Sequence, residues 1–165
     1  MVVGFAGMAC GQIARPEVPA AIQAPAGEVV VLQAHATGSQ IYVCHAGADG
    51  KFGWALKGPD AELHDPKGAV IGTHFAGPTW KHNDGSEVLG KLVAKVDAPE
   101  AGSIPWLLVG ASGHTGSGVF SGVTSIQRIH TRGGVVPAAT CAAAQDGVEA
   151  KSGYEADYYF FAAGK

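Results

Sequence analysis

Apolar and polar positions alternate with a period of two along much of this chain, the signature of half-buried strands. Glu28 to Thr37 and Gln40 to His45 flank Gly38-Ser39, a pair that reads as a two-residue hairpin turn. Pairing across that turn puts Val30, Leu32, Ala34, Ala36, Ile41 and Val43 on one face. Gln33, His35, Thr37, Gln40, Tyr42 and Cys44 then share the other, which is polar yet almost uncharged. Such a face suits the wall of a wet cavity or a plain solvent surface. Further along, Phe52, Trp54 and Leu56 share one parity, and so do Val88, Leu92, Ala94 and Val96, with Lys91, Lys95 and Asp97 opposite. Trp106 to Val109 is a continuous apolar run, as expected of a strand covered on both faces. In Val123 to Thr131, Ile126, Arg128 and His130 alternate against Gln127 and Ile129, and Tyr154 to Phe161 is an aromatic strand.

Turn signals separate these runs at Gly47-Ala48-Asp49-Gly50, Gly58-Pro59, Asp65-Pro66-Lys67-Gly68, Asn83-Asp84-Gly85 and Gly133-Gly134. The best helix candidate, Pro137 to Gln145, is Ala-rich but barely two turns long. Eight or nine strands at this spacing predict an all-β domain, a single antiparallel barrel or sandwich with at most one short helix.

Composition narrows the class. With 47% hydrophobic and 15% charged residues in 165, the chain can bury the core of one domain. A net charge of −3 and dispersed Lys and Arg give no basic footprint for nucleic acid and no polybasic run for an anionic membrane. Residues 1–14 are apolar, rich in small residues and too short to span a bilayer. They look like the tail of a secretory signal whose charged start is missing. Gly7-Met8-Ala9-Cys10 is a poor lipoprotein box. Residues 15–27 carry three prolines and read as an extended lead-in, which leaves 28–165 as a single β domain. The expected location is secreted or periplasmic. There, Cys44 and Cys141 are expected to form a disulfide closing a loop of nearly a hundred residues; two free buried cysteines are the alternative.

Local motifs for chemistry are sparse. Val109 to Gly116 (VGASGHTG) matches a glycine-rich nucleotide-binding turn, but no helix start follows and too little chain remains for that fold. It reads instead as a flexible Gly/Ser loop between strands. There is no G-x-S-x-G nucleophile elbow, no H-E-x-x-H and no C-x-x-C, so neither a cofactor nor a metal is expected. The densest group of unusual residues is Gly72 to Ser86, which gathers His74, Phe75, Trp80, His82 and Asp84 around a Gly-Pro pair. Aromatic bodies with polar tips suit a small-molecule site, but a Trp-anchored bend between core strands is the favoured reading of them. Arg128, if it shares the inward parity of Ile126, is a partly buried cation in need of a partner.

GSQIYVC (38–44), GTHFAGPTW (72–80), DGS and a Gly-Lys strand (84–91), IPWLL (104–108), SIQRIHTRGGVVP (125–137) and Cys141 occur in that order. This set resembles the family catalogued as domain of unknown function 3455, found in exported proteins of bacteria and fungi. The resemblance covers about residues 16–163. It implies a secreted or periplasmic domain and carries over no catalytic residues.

Three functions are compatible with this reading. The first is non-catalytic binding of a small or glycan-like ligand, through the polar hairpin face (Gln33, His35, Tyr42) or through His74, Trp80 and Asp84, with Arg128. The second is a cofactor-free hydrolase or isomerase with His74 or His130 as general base and Arg128 as anion clamp. The third is a structural envelope or stress protein, which predicts no pocket.

Overall fold

The computed structural model describes residues 11–165. Its β-branched and aromatic runs form eight strands: β1 (Glu28–Ala46), β2 (Phe52–His64), β3 (Val70–Phe75), β4 (Thr79–His82), β5 (Glu87–Val96), β6 (Trp106–Thr115), β7 (Val123–Gly133) and β8 (Glu149–Ala163). Each pairs antiparallel with the next, and β8 returns to pair with β1, so one sheet closes into a barrel with no free edge. Helical structure among the described residues is limited to single 3-10 turns at Ala20–Ile22 and Ala143–Gln145.

Several turn assignments change. β1 runs straight through Gly38-Ser39, so no hairpin forms there. Gly38 serves a close approach instead: a Cβ at that position would meet the Ala61 Cβ on β2 at 2.8 Å. Because the strand is continuous, its faces also regroup. Ala34, Ala36, Gln40, Tyr42 and Cys44 are the buried set, whereas Gln33, His35, Thr37, Ile41 and Val43 take the opposite parity. Gly58-Pro59 lies inside β2 beside a register shift against β1, not at a turn. VGASGHTG is mostly the second half of β6, not a loop. Pro137 to Gln145 is an irregular arm with one 3-10 turn, since so short a run cannot sustain a helix unaided.

Inside the ring, Ala34, Ala36, Leu63, Trp80, Val88, Val109, Phe120, Ile126, Tyr158 and Phe160 form the main core. Trp80 lies over Gly90, where a Cβ would come within 2.9 Å of the indole; only glycine leaves that seat open. The outer wall of β5 to β8 is covered by the lead-in. Ile22 packs on Leu108 and Ile129, and Ala24 packs on Val30 and Phe161. The Trp106–Val109 run is therefore covered on both sides, Val109 inward and Leu108 under the lead-in. Gln127 Nε2 donates to the Ile22 carbonyl at 2.8 Å, and Arg15 donates to the Ala24, Pro25 and Glu28 carbonyls while lying 5.3 Å over the Phe161 ring. The expected leader at 1–14 falls outside the described residues apart from 11–14, where Ile13 bridges to Val30. No helix of the described residues is long and apolar enough to cross a membrane.

The two barrel ends differ. At the end carrying the β2–β3, β4–β5 and β6–β7 turns, Phe120 inserts fully buried and packs 4.6 Å from Phe160. At the other end, the arm between β7 and β8 folds across the β1 side. It is tied by the Cys44–Cys141 disulfide (Cα–Cα 5.6 Å), by Trp54 Nε1 donating to the Ala139 carbonyl (2.8 Å), and by the Tyr42 hydroxyl donating to the Gly134 carbonyl (2.6 Å). With the two cysteines 97 positions apart, chain-entropy arguments value this crosslink at roughly 4–5 kcal/mol. Replacing both cysteines by alanine is expected to lower the urea unfolding midpoint to the value reached by the native chain under reductant, with a steeper transition because the uncrosslinked denatured chain exposes more surface.

Candidate functional site

A cavity of about 290 Å³ opens at the disulfide-bearing end of the barrel. Its rim is Leu56, Lys57, Gly58 and Pro59 of β2 with Gly77 and Pro78 of the β3–β4 turn; its walls are His74, Trp80, Leu107, Val109, Arg128 and Tyr158, with Gln40 from β1. The lining passes from a Leu56 that is 59% exposed to a His74 and Trp80 that are 3% and 2% exposed. The volume is near the lower bound, about 300 Å³, of ordinary small-molecule sites.

The β3–β4 hairpin positions the deepest wall. His74 and Trp80 pair directly across it, and their rings stack at 4.4 Å with 10° between planes. Tyr158 meets both edge-on, at 5.1 and 5.6 Å. His74 Nδ1 lies 2.8 Å from the Thr79 carbonyl. A carbonyl only accepts, so Nδ1 carries the proton and Nε2 is left as a bare acceptor. Burial pushes the imidazole pKa down to about 3, opposed by the Thr79 hydrogen bond and reinforced by the nearby Arg128 charge. Trp80 contributes a buried indole N–H with no partner among the described residues.

Arg128 takes the inward parity of Ile126, as its alternation in β7 indicates. Nε and Nη2 both donate to the Pro105 carbonyl, at 3.1 and 2.7 Å. None of the ion pairs among the described residues includes Arg128. Its charge reaches Tyr42, Tyr154 and Tyr158, partly offsetting the burial that raises all three phenol pKa values. The outcome is a permanent cation in an apolar wall, held by the Pro105 carbonyl and the Tyr158 hydroxyl and uncompensated by any carboxylate.

Of the residues singled out from sequence, His74, Trp80 and Arg128 come together in this cavity. The remainder do not. Tyr42 is buried behind it, bonded to the β7–β8 arm. Gln33 and His35 lie on the outer wall, where His35 Nδ1 meets Asp157 at 2.7 Å. Asp157 also holds His130, at 2.8 Å, so His130 is on that outer wall and not in the cavity. Asp84 belongs to the plugged end: it accepts from Ser86 N (2.9 Å), Ser86 Oγ (2.6 Å) and Val119 N (2.7 Å), pinning the loop that inserts Phe120. Those hydrogen bonds, first of all the Ser86 hydroxyl, hold its carboxyl well below the usual aspartate range. Leu107, Pro59, Pro78 and Tyr158 line the cavity without having been distinguishable from core or turn residues in the sequence. Among the described residues no group of His, Cys, Asp and Glu is arranged to hold a metal ion.

Fold and cavity together define a small closed β-barrel, stoppered at one end and open at the other onto an amphipathic chamber. A family model described as "Protein of unknown function (DUF3455)" matches residues 25–162, and the chain belongs to that family. Comparison with curated proteins and with solved structures returns no match.

The low pKa of His74 has a consequence for stability. Between its ordinary value of 6.5 and about 3, the unfolded chain takes up a proton that the folded barrel refuses. Stability therefore falls as pH drops through that window. His74→Asn keeps a donor near the Thr79 carbonyl and removes the titration. Urea midpoints measured against pH are expected to show a flatter acid limb for this variant between pH 6.5 and 3.

Proposed function

We propose that this is an exported barrel that binds a small molecule non-catalytically in its open chamber. The observation that carries the reading is the pairing, in one cavity, of an Arg128 uncompensated by any carboxylate with an otherwise apolar and aromatic wall. A charge in such a wall is costly unless a counter-charge or water completes it. The Cys44–Cys141 disulfide supports an oxidising destination, secreted or periplasmic.

The enzymatic alternative gains from His74 and Arg128 lining the same cavity, but its base is poorly matched to the task. A general base works best with a pKa near the operating pH, whereas burial holds His74 near 3. His130, the other candidate base, is on the outer wall. A purely structural role predicts no pocket, which the 290 Å³ chamber speaks against.

Native mass spectrometry of the protein recovered from its producing cell tests the proposal. The expected spectrum has a trimmed N-terminus, the two-hydrogen loss of the disulfide, and a small co-purifying mass released on denaturation. Leu107→Trp, which fills the chamber from the β6 wall, is expected to retain the barrel's circular dichroism and lose that mass. Retention of the same mass by the filled variant would place the ligand elsewhere and overturn the reading.

A further inference from the structure

We infer that the chamber is selective for small organic acids: a single carboxylate set against Arg128, carried by a flat or short apolar body that lies along the His74–Trp80 stack. This rests on the chamber being a ligand site, and it adds the chemical class of the ligand.

The charge argument comes first. Arginine stays protonated at any physiological pH, so the wall is permanently cationic. Nε and Nη2 are both directed at the Pro105 carbonyl, and the guanidinium also meets the Tyr158 hydroxyl, so its protein partners are neutral and leave its charge unbalanced. No glutamate or aspartate lines the cavity. The nearby ionisable groups are three tyrosines, whose pKa values burial raises, and a histidine held neutral by burial, so none of them supplies the missing negative charge at neutral pH. An incoming carboxylate is the compact group that satisfies a guanidinium by charge and geometry together. Lys57 adds a second positive charge at the rim, although its ammonium is engaged with Glu149.

The body of the ligand follows from the remaining walls. Leu56, Pro59, Pro78, Leu107 and Val109 are apolar, and the stacked imidazole and indole present a π surface. A sugar, rich in hydroxyls and without charge, would leave Arg128 unmatched and its own hydroxyls against hydrocarbon. A nucleotide or polyphosphate brings more negative charge than one guanidinium offsets, in a volume near the minimum for small-molecule sites. A monocarboxylate with an aromatic ring or a short alkyl chain meets both conditions.

Matched pairs of probes separate charge from shape. Isothermal titration of the full chain would use benzoate, 2-naphthoate and hexanoate, each against its neutral amide. At least one acid is expected to bind at least tenfold more tightly than its amide. Arg128→Gln should erase that preference, and Leu107→Trp should abolish binding of the acid. Arg128→Lys keeps the charge and loses the two-bond grip on Pro105, so it should retain a reduced preference for the acid. The lysine variant preserves the test if the glutamine variant fails to fold. Equal affinity for acid and amide, or an acid preference unchanged in Arg128→Gln, overturns the organic-acid inference and leaves the chamber as a ligand site. Acid binding that survives Leu107→Trp places the probe outside the chamber and overturns both. No binding by any acid overturns the inference, and the amides then decide whether the chamber reading stands with it.

Discussion

Closure of β8 onto β1 is the constraint on which the molecule depends. β1 is 19 residues long and pairs on both sides, with β8 along most of its length and with β2 along its second half. One strand thereby removes both edges that an open sheet would expose. Closing eight strands also fixes a narrow interior, wide enough for interlocked side chains or for one small guest. Here the interior is part filled and part open. The end stoppered by Phe120 is solid core, and the end tied by the disulfide is hollow.

The division between solid and hollow follows from local choices. Asp84 gathers two backbone N–H groups and the Ser86 hydroxyl, and the loop it pins delivers Phe120 against Phe160. Above that layer, Gly90 makes room for Trp80, and Trp80 in turn supports His74. Higher still, β2 shifts register against β1 between Gly58 and Leu56, and the β3–β4 turn carries Gly77-Pro78 in place of bulky residues. Small residues and an irregular strand at the rim leave unfilled what the rings below fill. The lead-in strap stabilises the outer wall of β5 to β8 without entering this space.

Much of this was legible in the alternation of residue types, and the failures have physical causes. The class, the strand-rich order and the inward parity of Arg128 follow from period-two patterning, which burial in the barrel enforces. The Gly38-Ser39 turn misleads because glycine answers two needs: a turn's backbone freedom, and close contact between strands, as here against Ala61. That one misplaced turn exchanged the faces of Gln40, Tyr42 and Cys44 with those of Ile41 and Val43. The sequence neighbourhood of His74, Trp80 and Asp84 also conceals a separation, since strand direction carries His74 and Trp80 into the chamber and Asp84 to the opposite end. Leu107 and Tyr158 carry no local sign of a site, because their role depends on which interior volume stays empty.

The stopper gives the chamber a direction. With Phe120 and the core closing one end, the hollow is a cul-de-sac, and a guest of the kind proposed would enter and leave by the same mouth. Such a vessel would measure length as well as chemistry: whatever exceeded its depth would trail past Leu56 into water. Two molecules with the same head group would then be told apart by how much of each remained outside, and a barrel of fixed wall would rank a homologous series with no moving part.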